Sequence, residues 1–160
     1  MIDLNFIGRL LHDAIWSGVA ALGFAILFNV PTRTLRGCLV CGAAGHVVRT
    51  ITMQLGLSIE LATLASATIV GFVGTAFARR WQTPAAVFTV SGVIPLVPGV
   101  FAFQTMLGLL DVASAIDPAT GLSALLEVSQ NGIKTGLILM AIAAGIAAPT
   151  LLFERRKPVV

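Results

Sequence analysis

Pro95 and Pro98, closed by Gly99, interrupt a run that is otherwise apolar from Val87 to Leu110. Each proline removes a backbone N–H and crowds the carbonyl four residues earlier, so carbonyls on the preceding turn lose their partners. In hydrocarbon such carbonyls are tolerated only where they face protein or a water-filled cavity. If the run crosses a membrane, it predicts a helix broken at a solute site.

Composition supplies the membrane. Hydrophobic residues make up 57% of the chain and charged residues only 11%, against roughly 25% charged in a soluble domain. The mean hydropathy is +0.97. A chain of 160 residues has room for about five spans of ~20 residues and no separate soluble domain. The first residues, with Asp3 and one basic residue, Arg9, show no cleavable signal pattern. Cys38 and Cys41, the only cysteines, are too few for a disulfide framework.

The expected fold is all-α: a polytopic bundle of five transmembrane helices in a single domain, the fourth helix broken at Pro95-Pro98-Gly99. The spans read as about 7–28, 37–55, 59–78, 87–110 and 125–153. Arg33, Arg36, Arg79, Arg80, Arg155, Arg156 and Lys157 all flank the ends of odd-numbered spans, while the loops after the second and fourth contain no Lys or Arg. The positive-inside rule then places the N-terminus outside and the C-terminus in the cytoplasm. Trp81 beside Arg79-Arg80 suits an interfacial anchor. Thr63, Ala67, Gly71 and Thr75, and Gly132 with Gly136, recur every four residues and read as helix contacts, because small residues let membrane helices approach closely.

Depth brings the unusual residues together. Counting from Gly37 at 1.5 Å per residue, His46 lies ~14 Å and Arg49 ~18 Å into the core, three apart and so on one helix face. Counting from Val87, Pro95 to Gly99 falls at ~12 to 18 Å. An Arg at this level costs from ~3 to more than ~10 kcal/mol unless it meets a partner, a cavity or a ligand. A half-helix starting after the break would add N–H groups and a positive dipole end. The combination of Arg49, His46, Pro95, Pro98 and Gly99 suits a carboxylate, which Arg can hold bidentately. The structural alternative pairs Arg49 with Asp13 or Glu60 and leaves the prolines as a kink. His46 is either a proton-coupling group or a packing residue bonded to a neighbour's carbonyl.

Glu127, Asn131 and Lys134 share one face of the last span. Asn131 and Lys134 are candidates for an outer vestibule, with snorkelling or an interfacial position as the alternative. Cys38, Cys41 and His46 imitate a metal motif but lack a fourth ligand, so the cysteines read as small packing residues and no metal or other cofactor is expected. Ser91 with His46 lacks an oxyanion hole, so no enzyme activity is expected.

Gly42-x-x-Gly45-His46-x-x-Arg49, Val93-Ile94-Pro95-x-x-Pro98-Gly99, Phe28-Asn29-Val30-Pro31 and the basic C-terminal end together resemble the threonine/serine exporter family. The resemblance covers essentially the whole chain and is closest to the small five-span subunit of the family's split, two-component form. It implies a bacterial inner-membrane transporter without enzymatic activity. It also implies a larger partner with a soluble N-terminal part and five further spans, embedded in the same lipid bilayer. The implied cargo is a small carboxylate, with succinate expected ahead of threonine or serine; an accessory or assembly subunit is the reading from another class. Two oppositely oriented five-span halves would form an inverted repeat.

Overall fold

The computed structural model of the chain describes residues Leu4–Phe153, with side chains from Phe6 onward; Arg155, Arg156 and Lys157, counted above for orientation, lie outside them. Among the described residues every regular element is helical. In order they are α1 (Leu4–Leu27), α2 (Leu35–Gln54), α3 (Ile59–Trp81), α4 (Ala86–Val93), α5 (Gly99–Ser114) and α6 (Pro118–Phe153), with 3₁₀ turns at Thr32–Thr34 and Ile94–Leu96. The all-α expectation is met.

The helices α1, α3 and α6 are long and apolar enough to cross a membrane, and α4 with α5 make a fourth span if the interrupted pair is counted as one. The second expected span, α2, is 20 residues long but carries Arg36, His46 and Arg49 and is not among them.

Helix ends follow local chemistry. Gly56 ends the α2 connection at φ 89, and Asn29 and Gln82 take φ 55 and 50 after α1 and α3, the left-handed conformation that closes helices. At the other end of the chain, α6 starts earlier than the expected 125. The Asp117 carboxylate accepts from the Thr120 backbone N–H at 3.2 Å, and Pro118 takes the first helical position, where its missing N–H costs nothing. With 36 residues, α6 is ~54 Å long against a ~30 Å hydrocarbon core.

Two compact units result: one comprises the chain up to Leu96 together with the segment from Ala141, the other Val97–Met140. In the first, α2 is the central helix, packed on α1, α3 and α4. Much of its core is small: Ala21, Ala25, Cys38, Cys41, Ala62 and Ala67 are fully buried, with Val70, Phe88 and Leu96 as its larger members. Large apolar residues such as Leu11, Ile15, Trp16 and Leu61 point outward instead. That inversion suits lipid, where apolar side chains gain nothing by turning inward and close backbone approach supplies the cohesion.

The glycines of α2 mark the closest approaches. A Cβ on residue 42 would lie 2.8 Å from the Ser17 carbonyl oxygen, and one on residue 45 would lie 2.8 Å from Val70 Cγ2. Beside Gly45, the buried Ser66 hydroxyl of α3 donates to the Gly45 carbonyl. Ser66→Ala should therefore destabilise the unit by about 1 kcal/mol, read as a lower melting temperature in detergent.

On α3, Ala67 and Gly71 make the predicted helix contact, against Gly145 and Pro149 of α6. Pro149 cannot bond the Gly145 carbonyl, and that oxygen faces Gly71. The other expected pair divides: Gly132 meets Thr105 on α5, whereas a Cβ at Gly136 would touch nothing within 4 Å. Trp81 is more than an anchor, since its ring lies 5.0 Å from that of Phe77 and 5.4 Å from that of Phe88. Cys38 and Cys41 are buried on the α4 side of α2: the Cys38 thiol donates to the Val87 carbonyl at 3.4 Å, and Cys41 touches the space beside Gly92.

Candidate functional site: a helix break held by His46 and Arg49

The α4 helix passes into a 3₁₀ turn at Ile94–Leu96 and stops there. The carbonyls of Pro95 and Leu96 would need N–H donors from Gly99 and Val100 to continue an α-helix, and Gly99 donates to Val97 instead, at 2.9 Å. They are orphaned helix-terminal acceptors. Both are met from α2. His46 Nε2 lies 3.1 Å from the Pro95 carbonyl oxygen, and Arg49 Nη1 donates to the Leu96 carbonyl at 3.2 Å.

The structure thus brings together three of the expected site residues, His46, Arg49 and Pro95, with His46 bonded to a neighbour's carbonyl as the packing alternative has it. The backbone that meets the pair is the carbonyl end of the first half-helix. A cation is the complement of such an end, so Arg49 has a structural role in addition to any binding role. Pro98 and Gly99 belong to the second unit, where the Pro98 carbonyl accepts from Ala102 at 3.0 Å and Gly99 opens α5.

Hydrogen-bonding capacity at the break is far from used up. Arg49 has five N–H donors, and among the described residues its guanidinium makes the single bond to Leu96. His46 Nδ1 is buried without a partner. If Nε2 carries the proton toward Pro95, Nδ1 presents a lone pair. Asp13 does not pair with Arg49: among the described residues its carboxylate accepts from Thr50 Oγ1 at 3.2 Å and stands 3.9 Å from His12 Nδ1. The Thr50–Asp13 bond was missed from sequence, because Asp13 lies in the first span and nothing local predicts its register against α2.

In the second unit, Asn131 lines a polar cleft of about 430 Å³ with Gln104, Asp111, Glu127 and Gln130. The Lys134 ammonium lies 5.4 Å from the Phe101 ring centroid, a cation–π contact within the α5–α6 pair.

Comparison with known proteins agrees with the motif reading. The family model described as "Threonine/Serine exporter, ThrE" matches residues 13–152. That range contains α2, α3, the break and nearly all of α6. An uncharacterized protein of Haemophilus influenzae is 36% identical over 157 residues, covering 97% of this chain and 51% of that protein. The chain therefore spans about half the length of this relative. No solved structure matches the chain significantly. With Gly42, Gly45, His46, Arg49 and the proline break all inside the matched range, the chain belongs to the threonine/serine exporter family.

Proposed function

We propose that this chain is one half of a membrane transporter that exports a small carboxylate-bearing solute, with Arg49 as the residue that holds the carboxylate. The observation that carries the reading is the Arg49 guanidinium: among the described residues it makes one hydrogen bond, to Leu96, beside a buried His46 nitrogen that makes none. Buried polar groups are normally satisfied, and a guanidinium fork with free donors suits a planar carboxylate. His46, already bonded to the break, is the group to couple proton movement to occupancy of Arg49.

The family's description favours a threonine- or serine-like amino acid as cargo. Succinate, put first by the sequence resemblance, would need a second cation for its second carboxylate, and among the described residues beside Arg49 that would have to be a protonated His46. The N-terminus-outside, five-span topology with a cytoplasmic C-terminus follows from the arrangement of Arg33, Arg36, Arg79 and Arg80, in a bacterial inner membrane. A relative about twice as long supports a complementary half, on the same or a separate chain, that closes the other side of the pathway.

The test is efflux of L-threonine, L-serine and succinate from cells lacking the native system, with and without this chain and its complementary half. Export of an amino acid only when both halves are present is the expected result. Succinate export without amino-acid export would reverse the choice of cargo. Full export by this chain alone would remove the partner.

A further inference from the structure

The geometry points to Asp13 as the residue that recognises the ammonium group of the solute and so separates amino acids from plain carboxylates; this rests on the reading of Arg49 above. Asp13 sits ten residues inside α1, and a carboxylate within a membrane span costs about 2.5–3.5 kcal/mol on insertion scales. The least costly arrangement of Asp13 and Arg49 would be an ion pair. The structure keeps them apart, giving each a neutral partner: Thr50 Oγ1 for Asp13 and the Leu96 carbonyl for Arg49.

Arg49 and Thr50 are consecutive on α2, about 1.5 Å of rise apart, and their polar groups go to different neighbours: Thr50 to Asp13 of α1 and Arg49 to the Leu96 carbonyl at the break. Consecutive side chains leave a helix about 100° apart, so the two charges are held to different sides of α2 and do not cancel. Both keep capacity for a ligand. An ionised carboxylate has about four acceptor positions, and among the described residues Asp13 uses one, for Thr50, since His12 at 3.9 Å is beyond hydrogen-bond reach. An α-amino acid carries its own opposite charges on one carbon, and a receptor for it needs this separation. A dicarboxylate would meet repulsion at Asp13.

A merely structural role, fastening α1 to α2, predicts different results. Asn at position 13 keeps an oxygen for the Thr50 hydroxyl and removes the charge. Efflux should be followed in cells expressing the chain with its complementary half, comparing L-threonine with 3-hydroxybutyrate, the same skeleton without the ammonium. Asp13→Asn should raise the half-saturating threonine concentration about tenfold or more, the scale of a lost charged hydrogen bond, and that of 3-hydroxybutyrate less than about twofold. Asp13→Glu should restore preference for threonine over 3-hydroxybutyrate, and does so independently of whether Asp13→Asn reaches the membrane. Equal losses for both solutes in Asp13→Asn, or no preference in Asp13→Glu, would overturn the assignment. Unchanged handling of both solutes by Arg49→Gln would instead remove the underlying site.

Discussion

Arg49→Gln should lower export about ten- to a hundredfold for any carboxylate cargo, at unchanged membrane abundance. The size follows from the 1.5–3 kcal/mol carried by hydrogen bonds to charged groups, converted at 1.4 kcal/mol per tenfold. Gln is the informative replacement because its amide still offers an N–H to the Leu96 carbonyl, which Arg49 meets at 3.2 Å. The cap on the broken helix then survives while the fork is lost. Arg49→Lys should fall between the two, since an ammonium restores charge without bidentate geometry. Efflux rate normalised to chain in the membrane measures the effect. A variant that loses abundance or co-purification with its partner, yet exports normally per molecule, would make Arg49 a structural residue and favour the accessory-subunit reading.

Gly42→Leu is expected to have the largest effect on the fold itself. Even the first side-chain carbon would meet the Ala21 methyl and come within 2.8 Å of the Ser17 carbonyl oxygen. One of those neighbours is backbone, so no rotamer change relieves the clash and α1 must move off α2. Overpacking costs about 1–3 kcal/mol when side chains can give way, and more is expected here. The readout is loss of a monodisperse peak and of a cooperative melt in detergent. Gly136→Ala is the matched control: nothing lies within 4 Å of its added carbon, and Ala in a helix interior is favoured over Gly by roughly 0.5–1 kcal/mol. Its melting temperature should stay the same or rise.

Both predictions concern residues whose type was conspicuous in the sequence but whose partners were not. Arg49 stood out because an arginine in an apolar run is costly wherever it points. That its partner is the Leu96 carbonyl depends on how α4 lies against α2. Gly42 belonged to the Gly42-x-x-Gly45 spacing, which signals close packing without saying which helix comes near. It is α1 at Gly42 and α3 at Gly45. Lys134 is a similar case: the sequence placed it on a polar helix face, and its contact with the Phe101 ring became visible only with α5 folded beside α6.

By itself the sequence determined the all-helical class and the place of the break. These are local properties. A bilayer demands that each segment satisfy its own backbone hydrogen bonds, and a proline denies one wherever it stands. Counting rise per residue even put His46, Arg49 and Pro95 at one level. Only the tertiary structure decided rotation and neighbourhood: that the carbonyl end of α4 meets Arg49, and that Asp13 reaches Thr50 rather than the guanidinium. Those outcomes turn on side-chain reach across two helices, and among small residues in lipid no local pattern records which faces meet.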